Sequence, residues 1–207
     1  MITGVYVDAF NLYFGALRGT PYKWLDLSTL CRHMLPKNEI KAIKYYTALV
    51  TPRAKDPDQP VRQQTYLRAL KTLPNLSIHH GHFLTHIVKM PLASSIAGET
   101  KYAEVIKTEE KGSDVNLATH LLYDAFRGEF EVAVVISNDS DLVEPIRIVT
   151  RELKKSVGVL NPHEHPSRVL HAHATFFKKI RRGVLKASQF PETLTDKHGT
   201  FHKPEGW

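Results

Sequence analysis

A single cysteine, Cys31, in 207 residues excludes an internal disulfide and fits a reducing compartment. Long apolar runs are also lacking: no stretch approaches the roughly 20 apolar residues of a membrane span, so no membrane partner is expected. The first apolar segment, Ile2 to Val7, has no basic leader and runs straight into Asp8, so no signal peptide is read there and a cytoplasmic location is expected. Neither Gly-x-Gly-x-x-Gly nor a P-loop follows that segment, which argues against a nucleotide cofactor. No His-Glu-x-x-His or Cys-x-x-Cys pattern organises the histidines, so zinc is not expected despite the groupings His79, His80, His82, His86 and His163, His165, His171, His173. Internal repeats and low-complexity tracts are absent as well.

The chain is long enough to bury a full core, but short for two domains. One domain over residues 1–185, followed by an extension over 186–207, fits the pattern. Phe190, Leu194, Phe201 and Trp207 are too few for a second core, so the extension is expected either to drape over the domain or to be partly disordered. Lys and Arg exceed Asp and Glu by seven, which favours a polyanionic partner such as RNA over a neutral one. A merely well-solvated basic surface is the alternative, with Lys178, Lys179, Arg181 and Arg182 as its densest run. Homo-oligomerisation is left open.

The most informative stretch is residues 131–144. Val132 to Ile136 is apolar at every position, as a strand buried on both faces of a parallel sheet must be. Ser137, Asn138, Asp139 and Asp141 follow at its carboxyl end, where open α/β sheets place ligands. Other strands are predicted over Ile2–Val7, residues 40–50, residues 76–83 and residues 156–160. Helices are predicted over 25–35, 61–73, 113–126, 141–153 and 167–180, with Asp26 or Ser28 as a cap for the first. Residues 84–111 suggest a hairpin with arms near 86–89 and 102–107. This alternation predicts an α/β fold of three layers, a mostly parallel five-stranded Rossmannoid sheet in the order 3-2-1-4-5. That order makes the first and fourth strands neighbours and sets Asp8 beside Asp139, with Asp114, at the start of the clearest helix, near the same crevice.

Asp8, Asp114, Asp139 and Asp141 would then form an acidic cluster in a basic protein. Such carboxylates repel one another unless protons or metal ions neutralise them, and hard oxygen donors suit Mg²⁺ or Mn²⁺. Capping is the competing explanation: Asp139 or Asp141 at the following helix, Asp141 with Glu144 as a capping box, Ser113 and Asp114 at theirs. Asp8 is harder to explain that way, because a charge ending a buried strand has a desolvation cost. Lys111 is the first choice for a phosphate contact, and Arg53 a second on topological grounds. Tyr6, Phe10, Tyr45, Tyr46 and Cys31 are read as core.

Three segments resemble the motifs of the NYN domain family, the PIN-like nucleases that include bacterial DUF88 and LabA-type proteins: Val-Tyr-Val-Asp8-Ala-Phe-Asn11, Glu110-Lys111-Gly112-Ser113-Asp114 and Val-Ile-Ser137-Asn138-Asp139-Ser140-Asp141. The match spans about residues 2–160. The resemblance implies a PIN-like fold and Mg²⁺- or Mn²⁺-dependent ribonuclease activity leaving a 5′-phosphate, with the four aspartates as metal-binding acids and Asn11 and Ser137 as supporting residues. Asn138 stands where other members often carry Gly, and it should tolerate an unusual backbone there. The family also includes members without demonstrated activity, so a catalytically weak RNA- or protein-binding module is the alternative. An Asp-based phosphatase is disfavoured because Asp8-Ala-Phe-Asn11 holds no Asp-x-Asp nucleophile motif.

Overall fold

The computed structural model describes residues 1–93 and 101–207. In chain order the elements begin with β1 (Ile2–Asp8), α1 (Ala9–Leu12) running into a π-helical turn (Tyr13–Leu17), α2 (Leu27–Met34), β2 (Glu39–Thr47), α3 (Gln59–Leu70) and β3 (Leu76–His80). A hairpin of β4 (His82–Pro91) and β5 (Tyr102–Lys111) precedes α4 (Ser113–Arg127) and β6 (Val132–Ile136). A 3₁₀ turn (Ser140–Leu142) opens α5 (Val143–Arg147), which ends in a π-helical turn (Ile148–Glu152) before β7 (Ser156–Asn161). The chain closes with α6 (Arg168–His173), β8 (Phe176–Lys179), α7 (Arg182–Ala187), β9 (Thr193–Asp196) and β10 (Gly199–His202).

The central sheet has six parallel strands in the order β3-β2-β1-β6-β7-β8. Five of them follow the predicted order, since the fourth and fifth predicted strands are β6 and β7. The sixth corrects the expectation of one helix over 167–180. After only six helical residues, the Thr175 N–H bonds the Val157 carbonyl and its Oγ1 accepts from the Val157 N–H, which turns the chain onto the sheet edge. Gly158 leaves the space that the Phe176 ring fills. The basic run is therefore not a helix end: Lys178 donates to the Met34 carbonyl and Lys179 to that of Glu164.

A second correction lies at the start. Residues 9–17, for which no element is predicted, are helical, nucleated by Asp8 as N-cap: its Oδ1 accepts the Asn11 N–H. Gly15 allows the π turn to meet the His163 ring, which a Cβ would strike. Asp26 caps α2 as one of the two expected candidates. The hairpin arms are longer than expected, and the stretch 94–100 between them lies outside the described residues.

Alternating strand residues divide the core into two clusters, one on each face of the sheet. Val5, Val7, Ile43, Val134 and Ile136 pack with α1, α2 and α3. Ala133, Val135, Val157 and Val159 pack with Leu117 and Leu121 of α4, Ile146 of α5 and Leu170 of α6. Tyr6 and Tyr46 lie on this second face. The Tyr6 hydroxyl donates to Asp124, which also holds Lys44 at 2.6 Å, so burial and that carboxylate raise the phenol's pKa. Burial likewise pushes the Cys31 thiol up to about 12, as a core cysteine requires. Within residues 186–207, Phe190 and Phe201 are buried against Trp24. Among the described residues no helix is long and apolar enough to cross a membrane.

Candidate active site

The register pairs Val7 with Ile136, so the chain leaves β1 and β6 side by side at their carboxyl ends. There Asp8 and the Ser137–Asp141 loop form one hydrogen-bonded unit. Asp8, only 6% exposed, accepts at Oδ2 from the Ser137 hydroxyl (2.9 Å) and at Oδ1 from the Asn11 N–H (2.9 Å). Ser137 Oγ in turn accepts the Asp139 N–H (3.0 Å), so one buried hydroxyl links two aspartates. Asn11 Oδ1 accepts the Asn138 N–H (2.8 Å) and locks the two loops together. Asn138 itself points away, donating to the His165 carbonyl and accepting the Ser167 N–H. Its backbone is not in the left-handed region, so the tolerance for an unusual conformation is not called on. Its side chain instead ties the site loop to the segment after β7.

The third segment arrives from the hairpin. Gly112, at φ 96°, turns β5 into α4, and the Ser113 N–H and hydroxyl both donate to Glu110 Oε1. Glu110 therefore satisfies this helix start, and Asp114 in the first turn is left free to face the crevice. Asp8, Asp114, Asp139 and Glu110 line a single cleft of about 700 Å³. Burial raises the Asp8 pKa to about 7, opposed by its two hydrogen bonds and reinforced by the charges of Asp114 and Asp139. Burial also raises that of Asp114, with Asp139, Glu110 and Asp141 adding repulsion. Among the described residues none of these three aspartates has a cationic partner.

The remaining predicted residues divide. Arg53 lines the cleft, joined by Arg62, Tyr45, Phe10, Phe83, His163, Lys23 and Trp207. Tyr45 and Phe10, read as core, thus have an edge on the cleft, and Phe10 meets Phe83 edge-on at 5.7 Å. Asp141 is exposed and does not line the cleft, although its charge reaches Asp114. The capping box assigned to it is absent: Asp139 caps the 3₁₀ turn through the Asp141 N–H (3.0 Å), while Glu144 bonds Arg147. Lys111 is exposed at the end of β5, 3.6 Å from Glu109, and does not line the cleft. Glu110 went unassigned although it lies inside the quoted motif. Arg62 and Trp207 carried no local signal, since their place depends on how α3 and the extension dock.

A sequence model of the NYN domain matches residues 2–181. The chain belongs to the NYN domain family. This NYN chain is 30% identical to a protein named 6-hydroxy-3-succinoylpyridine 3-monooxygenase from Pseudomonas putida, over 99% of this chain and 75% of that protein. It also superposes on the crystal structure of a protein of unknown function from Vibrio parahaemolyticus with a TM-score of 0.57 at 16% identity, covering 87% of this chain and 93% of that one. That likeness shows the fold alone.

The donor set decides what the cleft can hold. Carboxylate oxygens are hard donors that fit Mg²⁺ or Mn²⁺, and a cation would offset the cost of burying the Asp8 carboxylate, to which the charges of Asp114 and Asp139 add. The aspartates are not drawn into a closed cage: among the described residues no three His, Cys, Asp or Glu side chains stand ready-made around one point. The same holds for the histidine groupings. Ligands to a cation in this cleft would come from Asp8, Asp114 and Asp139, with the rest from solvent or substrate.

Proposed function

We propose that this NYN chain is a metal-dependent ribonuclease that hydrolyses RNA phosphodiester bonds with water as nucleophile. The observation that carries the reading is the convergence of Asp8, Asp114 and Asp139, without a cationic partner among the described residues, on a cleft whose lining also includes Arg53 and the Arg62–Asp56 ion pair. Mg²⁺ or Mn²⁺ bound to the aspartates would supply Lewis acidity, lowering the pKa of a water and offsetting charge on the phosphate. Ser137 and the Asn11 N–H hold the Asp8 carboxylate in one rotamer, so its oxygens need no reorganisation when the charge builds. Asp139 is fixed through its own N–H on Ser137 and its Oδ1 on the Asp141 N–H. Arg53 offers N–H donors to a phosphate, whereas Arg62 is held by both carboxylate oxygens of Asp56, and Phe10 and Phe83 offer ring edges and faces to a base. Asp141, exposed beside the cleft, shapes the field at Asp114 and is a weaker candidate ligand.

The name of the Pseudomonas putida relative favours a second reading, monooxygenation of a hydroxypyridine carrying a carboxylate side chain. The aromatic rings and Arg53 suit such a ligand as well. Purified protein incubated with Mn²⁺ and mixed RNA oligonucleotides, and separately with 6-hydroxy-3-succinoylpyridine, oxygen and a nicotinamide or flavin reductant, discriminates between them. Metal-dependent RNA fragments that vanish in Asp139→Asn support the nuclease. Oxygen uptake coupled to pyridine consumption, with intact RNA, supports the oxygenase. Salt-sensitive RNA binding without products leaves a binding module.

A further inference from the structure

A second cavity, of about 570 Å³, lies between α3 and the turn joining β9 to β10. Helical geometry relates it to the carboxylate cleft. Arg62, Gln63 and Tyr66 form one stripe of α3 that faces the cleft, whereas Leu67, Arg68 and Lys71 form the adjoining stripe that faces this groove. The extension walls both. Its turn, through Asp196, Lys197 and His198, closes the groove, and its last residues, Gly206 and Trp207, line the cleft, where Lys23 donates to the Gly206 carbonyl and Trp207 packs on Tyr66 at 5.7 Å.

The groove is cationic and its turn is rigidly held. Arg68 spans Asp196 with two hydrogen bonds (2.8 and 2.7 Å), donates a third to the Gly199 carbonyl (3.0 Å) and lies 4.1 Å over the Phe201 ring. Asp196 also accepts the His198 N–H (2.8 Å), fixing the turn from within. Asp196 is the one carboxylate lining the groove, and Arg68 neutralises it. Among the described residues Lys71 and Lys197 have no acidic partner, and both are exposed, with the His80 and His198 rings beside them. Two unpaired ammonium groups on a preorganised frame suit successive phosphates better than a single carboxylate ligand. The groove is separated from the cleft by the width of one helix, about 10 Å.

We propose that this groove is a second polyanion site that carries the backbone of a single-stranded RNA past α3 from the carboxylate cleft, with the extension as its outer wall. The proposal rests on the ribonuclease reading for the identity of the polyanion. It gives residues 186–207 a function: they build a length sensor beside the cleft. Short oligonucleotides fill the cleft alone, and longer ones reach Lys71 and Lys197.

The test is fluorescence anisotropy in EDTA with labelled single-stranded RNAs of about 4 and about 16 nucleotides, lengths within the span of known single-strand sites. It is run over a salt series for the wild type, Lys71→Ala/Lys197→Ala and Lys71→Arg/Lys197→Arg. The alanine pair should weaken the long strand several-fold and reduce the slope of log K against log salt by about 1.4, roughly 0.7 for each phosphate that is no longer neutralised. The short strand should bind unchanged and the arginine pair should retain the wild-type slope. Both side chains are exposed, so thermal midpoints should not move. Long-strand binding indifferent to the alanine pair overturns the proposal, as does equal loss in the arginine pair, which would mark a structural effect. Lysine-dependent binding of an acidic peptide but not of RNA overturns the assignment to RNA. A parallel Mn²⁺ cleavage assay separates the two ideas. Cleavage with lysine-independent binding removes the groove and keeps the nuclease, whereas lysine-dependent binding without cleavage does the reverse.

Discussion

Asp8→Asn should stabilise the fold while removing a residue that the proposed chemistry needs. Asp8 ends a buried strand, and its pKa is raised from 3.8 to about 7, chiefly by desolvation and further by Asp114 and Asp139. Between those two values the folded chain binds more protons than the unfolded chain, so stability falls as pH rises from about 4 to about 7, and the loss is complete above that. At about 1.4 kcal/mol for each pH unit, the charged carboxylate costs about 4 kcal/mol at pH 8. Asparagine is nearly isosteric: its Oδ1 can accept the Asn11 N–H and its Nδ2 can donate to Ser137 Oγ. After allowance for imperfect amide geometry, a gain of about 2–4 kcal/mol is expected at pH 8, or roughly 5–15 °C in Tm for a chain of this size. Urea unfolding in EDTA at pH 8 and pH 5 measures it. The difference should be large at pH 8 and shrink at pH 5. Added Mn²⁺ should stabilise the wild type, by about 2.7 kcal/mol at a hundredfold excess over Kd, and do less for the variant. An Asp8→Asn protein no more stable at pH 8 than the wild type would refute the claim that Asp8 is held there at a cost to the fold.

Other parts of the structure set three further outcomes. Ser137→Ala removes the donor to Asp8 and the acceptor of the Asp139 N–H in a fully buried setting, so unfolding should show a loss of about 1–3 kcal/mol with weaker Mn²⁺ binding by calorimetry. Gly158→Ala drives a methyl into the Phe176 ring and should cost about 1–3 kcal/mol, with hydrogen exchange rising first in β8. Burial lowers the pKa of both His79 and His120, and neighbouring charge, including Lys44, lowers them further. Above about pH 6.5 these rings are neutral in both states; below it the unfolded chain takes up their protons first, so their contribution to stability declines as pH falls. At each pH the wild type should be compared with His79→Gln/His120→Gln, which cancels the opposite trend from Asp8; a pH-independent difference would contradict the prediction.

The parts of the site that were legible in the sequence were those in which local chemistry and topology coincide. Val132 to Ile136 could only be a strand buried on both faces, and the crossover rule then set Asp139 beside Asp8 without coordinates. What escaped depends on contacts distant in sequence. β8 exists because Gly158 admits the Phe176 ring and Thr175 bonds Val157, yet Phe176 to Lys179 alone is equally compatible with a helix. Residues 9–17 contain Gly15, a helix breaker that is tolerated because His163 occupies the space beside it. Lys111 was favoured over Arg53 by its closeness to Asp114 in sequence, but β strands turn alternate residues to opposite faces, so Glu110 faces the cleft and Lys111 does not. Asp139 and Asp141 were separable only by orientation: the first caps the turn and lines the cleft, and the second is exposed.

The central claim, that Asp8, Asp114 and Asp139 hold a divalent cation that drives RNA hydrolysis, is tested most directly by calorimetric Mn²⁺ titration of the wild type and Asp139→Asn, followed by cleavage of a 5′-labelled RNA with the same samples. Asparagine remains a good cap for the Ser140–Leu142 turn, so the variant should fold. Mn²⁺ binding and Mn²⁺-dependent fragments in the wild type, both abolished in the variant, are the predicted result. Equal binding and equal cleavage by the two proteins, or no Mn²⁺ binding by the wild type, would contradict the account.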